Sequence, residues 1–418
     1  MTLEGHAEVM KLARLLGMPP ARLDSLEALA PAEVRVLRER ATDALYAADG
    51  HRFHRVALAS RLPPVALTTF IAQHAFGPLL CARVAGLLDT RLAVEIACRL
   101  PTPFVADLAV ELDPRRARDV IAALPPRRIA EVAAELTVRE EYIAMGRFVG
   151  FMTDAAIEAC FEVIDDTSLL WISYFVEAKD RLDHVVGLLA EERVRGAIRA
   201  ATAADLWPQA LDLLTRVSPG RAGTLADLAA LEDDAVLDGM VATAQRDGLW
   251  DVVLPVTRQM SPDGRARFAG LPSLHAPAVL RAIVRAAADD EVWLGLVPLA
   301  AVLPLAAQGI VWTEIVAVAE TLRPPRRRAM AAHALDLGID ELLAGLVTHV
   351  LAQAGLLSRG LGLVAELGPA LQERLVPLAA RLDADRRAAI LARARSLRLV
   401  RRLGPLSSAL EELPAGER

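Results

Sequence analysis

Apolar positions recur along the chain with a short period that predicts a series of short helices. Four leucines are spaced by 12 residues: Leu100, Leu112, Leu124 and Leu136. Helix-start signals follow them, including Asp113-Pro114, Pro125-Pro126 and a capping box at Thr137–Glu140. The intervening residues repeat at i, i+3, i+4 and i+7, as on one face of a helix. Because helices this short are unstable alone, the pattern favours side-by-side stacking.

A longer period governs the second half of the chain. Trp207, Trp250 and Trp293 are separated by 43 residues each time, and Ser218-Pro219 matches Ser261-Pro262 at the same offset. This period falls in the range of about 40–47 residues that is typical of HEAT and armadillo repeats. Each repeat is predicted to comprise a helix, a Ser-Pro turn, a short helix and a third helix.

One uncharged run, Val292–Thr313, satisfies the length criterion of about 18 residues for a membrane span. Prolines interrupt it, however, and Pro304 occupies the position of Ser218 and Ser261 in the repeat. We therefore expect two short buried helices there and no transmembrane span.

Composition narrows the fold class. Hydrophobic residues make up 54 % and aromatic residues 4 % of the 418 residues, which excludes a disordered chain and disfavours a β-rich one. We predict an all-α, right-handed solenoid of short helices, HEAT/armadillo-like in its second half. Four parts are expected: an N-terminal helical cap (1–54), a short-helix superhelix (55–204), 43-residue repeats with a basic cap (205–402) and a flexible tail (403–418).

Charge and cysteine usage constrain partners and compartment. The net charge of −6 makes nucleic-acid binding an unexpected function. Cys81, Cys98 and Cys160 show no C-x-x-C spacing, and we expect buried free thiols in a reducing, cytoplasmic compartment. No metal-ligand set and no cofactor motif is found, so neither a metal nor a cofactor is predicted.

The units Leu112–Leu124 and Leu124–Leu136 resemble the repeat of the intracellular N domain of MgtE-type magnesium transporters. The resemblance spans roughly residues 55–200 and rests on 96–152. It implies a superhelix of short helices related in shape to parts of the flagellar switch protein FliG. Nothing resembles the CBS pair or the pore of those transporters, so no transport and no magnesium-sensing residue is implied.

The segment 139–184 concentrates candidate binding residues. It holds 7 of the 17 aromatic residues and ten acidic residues against four basic ones. One interpretation is a binding surface, since aromatics and arginine dominate hot spots; the other is a junction that large side chains fill. The glycines within it, at positions 146 and 150, indicate close packing. The candidate residues are Tyr142, Arg147, Phe148, Phe151, Trp171, Tyr174, Phe175, Glu177 and His184.

A second candidate is a basic stretch near the C-terminus, either a solvated cap or a site for an acidic partner. Its residues are Arg386, Arg387, Arg393, Arg395, Arg398, Arg401 and Arg402. No catalytic motif is present, and we do not expect an enzyme. The predicted function is a scaffold or adaptor that binds a protein partner through a concave face or the 139–184 segment. The alternative is a binder of an apolar small molecule or lipid, or a membrane-surface module; peripheral membrane contact and homo-oligomerisation stay open.

Overall fold

The computed structural model describes residues 3–287, 290–336, 349–350 and 354–412. Within these ranges every regular element is a helix and no strand occurs, which confirms the all-α prediction. The chain divides into two compact units, Met1–Ser218 (unit 1) and Pro219–Arg418 (unit 2). The division lies after the first helix of the 43-residue repeats and not at the predicted boundary of 204/205.

Unit 1 consists of fifteen described α-helices joined by short 3₁₀ and π turns. They are α1 (Leu3–Leu16), α2 (Pro31–Ala47), α3 (Gly50–Ala59), α4 (Val65–Ile71), α5 (Gly77–Ala85), α6 (Thr90–Arg99), α7 (Thr102–Glu111), α8 (Arg118–Ala123), α9 (Pro126–Val138), α10 (Tyr142–Phe148), α11 (Asp154–Phe161), α12 (Asp166–Phe175), α13 (Lys179–Gly187), α14 (Glu191–Ala203) and α15 (Trp207–Arg216). Helices two apart in sequence pack together, as in α3–α5–α7–α9–α11, α4–α6–α8 and α10–α12–α14. This nearest-neighbour packing is typical of helical repeats.

The 12-residue period marks helix ends, as predicted, except at its last step. Leu100, Leu112 and Leu124 are the C-cap residues of α6, α7 and α8. The capping box predicted at Thr137–Glu140 is wrong: Thr137 lies inside α9 and its hydroxyl donates to the Ala133 carbonyl at 2.8 Å. The chain turns after it, where Glu140 adopts a positive φ of 55°. The leucine at 136 is a buried core residue of α9, whose packing carries the helix past the cap signal.

Both predicted ends of the chain differ from the structure. The N-terminal residues 1–54 do not form a separate cap, because α1 packs on α12 and α15 of the same unit. The predicted tail 403–418 begins with a helix over Gly404–Glu412, anchored by the buried side chains of Leu403, Leu406 and Leu410. Apolar spacing at i, i+3 and i+7 outweighs the Pro and Ser residues that indicated a tail. Residues 413–418 lie outside the described residues.

Unit 2 contains twelve described α-helices. They are α16 (Pro219–Ala230), α17 (Asp234–Asp247), α18 (Trp250–Gln259), α19 (Pro262–Ala269), α20 (Pro277–Ala286), α21 (Asp290–Val302), α22 (Leu305–Thr321), α23 (Pro324–Asp336), α24 (Ala354–Val364), α25 (Pro369–Ala380), α26 (Ala384–Ser396) and α27 (Gly404–Glu412). Trp207 and Trp250 begin α15 and α18, each donating its indole N–H to a side chain five residues earlier. Trp293, in contrast, donates to the Met330 carbonyl. All three are buried, so the 43-residue period marks core positions, of which the first two share a helix start and its hydrogen bond.

The two apolar stretches of the chain differ in their surroundings. Val292–Thr313 is divided between α21 and α22 at Pro304, as predicted, and Leu296 and Val311 are fully buried. The described stretch with the length and hydropathy to cross a membrane is instead Val65–Ala85, which comprises α4, a π turn at Ala72–Phe76 and α5. Only 17 % of the 18 residues that meet this criterion are buried. By length and composition alone it is a candidate span.

Candidate functional site

The aromatic residues predicted as a binding surface seat the N-terminal helix. Trp171 stacks with both Tyr142 and Phe175, with ring centroids 6.3 and 6.1 Å away. Tyr174 donates its hydroxyl to the Leu3 carbonyl at 2.6 Å, and Tyr174 and Phe175 are buried against Ala7 of α1. Burial raises the pKa of the Tyr174 hydroxyl well above its ordinary value. These four rings therefore pack between α1 and the rest of unit 1, and both interpretations of the segment stay open.

The other aromatic candidates and His184 contact different groups. Phe148 and Phe151 pack against Leu112 and Ile121, and Phe148 shares a further apolar cluster with Tyr142. His184 is exposed and lies 2.9 Å from the Asp154 carboxylate; this hydrogen bond lowers the pKa of Asp154. The nine predicted residues thus fall into four groups, since Arg147 and Glu177 belong to a separate charge network. That they bind a partner stays a prediction.

Arg147 and Glu177 belong to a buried charge network that ties α1 and α2 to the rest of unit 1. Glu177 lies 2.8 Å from Arg38, 3.8 Å from Arg147 and 4.0 Å from Lys11. Arg147 also lies 3.7 Å from the buried Asp113. Burial lowers the pKa of the Arg147 guanidinium, and Glu177 offsets part of that shift.

Glu8 is the second anion of this network and is almost inaccessible to solvent. It lies 2.9 Å from Lys11, 3.0 Å from Arg35 and 3.4 Å from Arg38. Burial alone would raise the pKa of Glu8, but the three surrounding cations lower it below its ordinary value. Burial lowers the pKa of Lys11, against the attraction of Glu8 and Glu177. The sequence does not single out Glu8, Lys11 and Arg38. Charged residues on a helix follow the same pattern whether they stay exposed or, as here, become buried when α1 packs on the rest of unit 1.

A cavity of about 270 Å³ runs inside unit 1. Side chains from α3 to α15, between Val56 and Leu213, form its wall, which is almost entirely apolar. Its volume far exceeds the roughly 10–15 Å³ that one water needs, and a wall of this composition favours apolar molecules. The predicted candidate Phe148 lines it, together with the repeat residues Leu112, Leu124 and Leu136.

The polar groups in the cavity wall are already bonded. Arg128 is the charged residue among the described lining residues, and its guanidinium donates to the carbonyls of Leu100 (2.6 Å) and Ala97 (3.2 Å) and to the Thr102 hydroxyl (2.8 Å). The hydroxyls of Ser60, Thr68 and Ser173 each donate to a carbonyl of the preceding helical turn. The wall therefore offers a surface for an uncharged apolar chain.

The three cysteines divide between the cavity and the surface. Cys160 is buried and Cys81 partly buried, and both line the cavity. Burial raises the pKa of the Cys81 thiol to about 11 and that of Cys160 to about 12. The expectation of burial is wrong for Cys98, which is exposed on the outer face of α6. All three thiols are free.

The basic residues near the C-terminus do not form one uniform patch. Arg387 is buried, Arg386 and Arg395 pair with Asp383 and Glu411, and Arg393 donates to the Ser358 hydroxyl. The remaining three are exposed and make no ion pair within the described part of the chain: Arg398, Arg401 and Arg402. An acidic partner for them stays a prediction.

No metal-binding group of three or more His, Cys, Asp or Glu side chains occurs among the described residues. Comparison with family models, with curated proteins and with solved structures gives no match, so the similarity to the MgtE-type N domain stays a resemblance in sequence pattern.

Proposed function

We propose that the protein is a non-enzymatic binder of an elongated, uncharged apolar molecule, held in the cavity of unit 1. The observation that carries the proposal is the apolar wall with no free charge. A binding site of this composition gains affinity from buried apolar area. Arg128 and the wall hydroxyls are bonded internally. The other titratable groups of the described wall are the thiols of Cys81 and Cys160, and burial raises their pKa to about 11 and about 12, which keeps both in the weakly reactive thiol form.

The same feature sets the ligand class. A carboxylate or phosphate placed among these side chains would lose its hydration without gaining a partner, which is strongly unfavourable. The occupant is therefore a neutral hydrocarbon-like chain, or the tail of a lipid whose headgroup stays outside. A cytoplasmic location and a short-helix packing like that of the MgtE-type N domain are part of this proposal.

The direct experiment is titration with the neutral fluorescent dye N-phenyl-1-naphthylamine. We expect saturable binding to the full chain and about tenfold weaker binding to Ala97→Phe, since a phenyl ring would then occupy part of the cavity. Ala122→Phe, on the exposed side of α8, is the matched control and should bind as wild type. Absence of saturable binding, or equal affinity in both variants when circular dichroism shows them folded, would contradict the proposal.

Cysteine alkylation reports on the same cavity without a mutation. Iodoacetamide reacts with the thiolate, and a pKa near 11 leaves about 0.1 % thiolate at pH 8. We expect Cys98 to be labelled first, and bound dye to slow Cys81 and Cys160 further while leaving Cys98 unchanged. Mass spectrometry of the peptides measures each rate; equal slowing of all three thiols would place the dye elsewhere.

A protein-binding scaffold is the second candidate, favoured by the extent of the cavity wall from α3 to α15. An amphipathic helix of a partner could lay its apolar face into such a groove. Native mass spectrometry of the purified chain distinguishes the two: a bound molecule of lipid mass supports the first, and a bound polypeptide supports the second.

A further inference from the structure

The region from Gly50 to Leu88 has an unusual charge distribution for an acidic protein. It contains no Asp or Glu, and its charged side chains are four arginines: Arg52, Arg55, Arg61 and Arg83. Arg52 pairs with Asp49 and Arg83 lies over the Tyr46 ring. Arg55 and Arg61 are exposed and make no ion pair within the described ranges. This region is therefore a local positive surface on a chain of net charge −6.

The same region exposes large apolar side chains. Leu62 is 87 % and Phe70 59 % exposed, and Leu58, Leu67 and Leu79 are each about half exposed or more. These residues lie on α3, α4, α5 and the turn after α3. Scattered single apolar residues are normal on a surface, but these five lie within residues 58–79, on a segment whose helices α3 and α5 pack together, and indicate an interaction site.

The other side of these helices is already used. Val56, Thr68, Ala72 and Val84 line the cavity, and α3, α4 and α5 pack on α5, α6 and α7 respectively. The segment is thus apolar on two faces, one towards the cavity and one towards solvent. Its hydropathy over Val65–Ala85 meets the membrane criterion for the same reason. A helix of this type, with arginines beside an apolar face, is typical of membrane-interface binding.

We propose that the surface formed by α3, α4 and α5 docks on a lipid bilayer that carries anionic headgroups. Phe70, Leu67 and Leu62 enter the boundary between headgroups and acyl chains, and Arg55 and Arg61 contact lipid phosphates. The charge complementarity favours this occupant: the acid-free stretch fits an anionic surface, and arginine binds phosphate well. The proposal stands whether or not the cavity holds a ligand.

Vesicle flotation of the full chain tests it. We expect binding to vesicles of 30:70 phosphatidylglycerol and phosphatidylcholine, weak binding to phosphatidylcholine alone, and release by salt at about 0.5 M, which screens the attraction. Arg55→Gln with Arg61→Gln should weaken binding about 25-fold, about fivefold per arginine. The matched control is Arg401→Gln with Arg402→Gln, which should leave binding unchanged.

The apolar contact is tested separately with Phe70→Asp and Leu62→Asp. Both positions are exposed, and circular dichroism checks that each variant is folded; each should reduce binding at least tenfold. Leu305→Asp, 84 % exposed on α22, is the control. Wild-type binding by Phe70→Asp, or no binding of the wild type to anionic vesicles, overturns the proposal. Two other outcomes would also overturn it. Resistance of the bound protein to alkaline carbonate extraction would indicate a transmembrane span, and a dimer that Phe70→Asp dissociates would indicate that a second copy covers this surface.

Failure of this proposal is distinguishable from failure of the cavity proposal. Ala97→Phe lies in the cavity and should bind vesicles as wild type, whereas Phe70→Asp should bind the dye as wild type. Vesicle binding lost in Ala97→Phe would mean that the cavity ligand, and not the surface, mediates attachment.

Discussion

At the scale of single residues, Gly146 shows how tightly the junction is packed. A Cβ at this position would lie 2.7 Å from the Phe175 carbonyl carbon and 2.8 Å from its Cβ. Neither the backbone nor the stacked ring can move without disturbing Trp171, so we expect Gly146→Ala to lower the free energy of unfolding by about 1–3 kcal/mol. Chemical denaturation followed by circular dichroism measures this.

The control for Gly146 is Gly50, which begins α3 in the same unit. No atom lies within 4 Å of a Cβ built there. Gly50→Ala should stabilise by up to about 1 kcal/mol, because alanine loses less conformational freedom on folding. Equal effects at the two positions would show that the contact with Phe175 does not determine the cost of Gly146→Ala. The sequence indicated a packing role for Gly146 but not its contact. Phe175 lies 29 residues further along the chain, and the packing of α10 on α12 brings the two residues together.

At the scale of helices, the buried charge network anchors α1 and α2. Glu8→Gln keeps the shape of the side chain. It leaves Glu177 as the nearest described anion to Lys11 and Arg38, and Glu4 as the nearest to Arg35. Removing one partner from a buried ion pair costs about 3–5 kcal/mol, and we expect a loss of this size. Urea unfolding measures it. Glu95→Gln removes an exposed pair with Arg99 and should change stability by less than about 0.5 kcal/mol.

The same network predicts a dependence on pH. The folded-state pKa of Glu8 is lowered, so its contribution is present above the ordinary value of 4.5 and is lost as pH falls through the lowered pKa. The melting temperature of the wild type should therefore fall in acid below about pH 4.5. Glu8→Gln should show a smaller fall over that range, and an equal fall would assign the acid sensitivity to other carboxylates.

Helix-scale features differ in how well the sequence predicts them. The 12-residue period located the ends of α6, α7 and α8 because each leucine is followed by a backbone signal that stops or starts a helix. The density of aromatic residues in 139–184 was also visible, but its cause was not. Tyr174 bonds to Leu3, 171 residues away, and no local pattern encodes that contact.

At the scale of the whole molecule, periodicity predicts the class of fold but not its interior. Residues such as Val120, Leu124 and Val132 form the i, i+3, i+4 stripes that predict a packed core, and they line the cavity. A stripe shows which face of a helix is apolar. It does not show whether the helices that face one another pack closely enough to leave no cavity between them. The exposed face of Val65–Ala85 has no marker in the sequence for the converse reason: its inner residues satisfy the helical pattern, and that pattern does not distinguish exposed leucines from buried ones.

The tryptophans in register offer a test of the 43-residue period across the chain. Trp250 is buried and donates to the Gln245 side chain at 3.1 Å, whereas the buried indole N–H of Trp312, outside the register, has no acceptor among the described residues. Both changes to Phe remove similar volume, but only Trp250→Phe also loses a hydrogen bond. We expect Trp250→Phe to cost about 1 kcal/mol more than Trp312→Phe, and Trp207→Phe to resemble Trp250→Phe. Unfolding monitored by far-ultraviolet circular dichroism measures the loss of stability in all three variants. An equal loss in Trp312→Phe would mean that the indole hydrogen bonds of Trp207 and Trp250 do not contribute to stability.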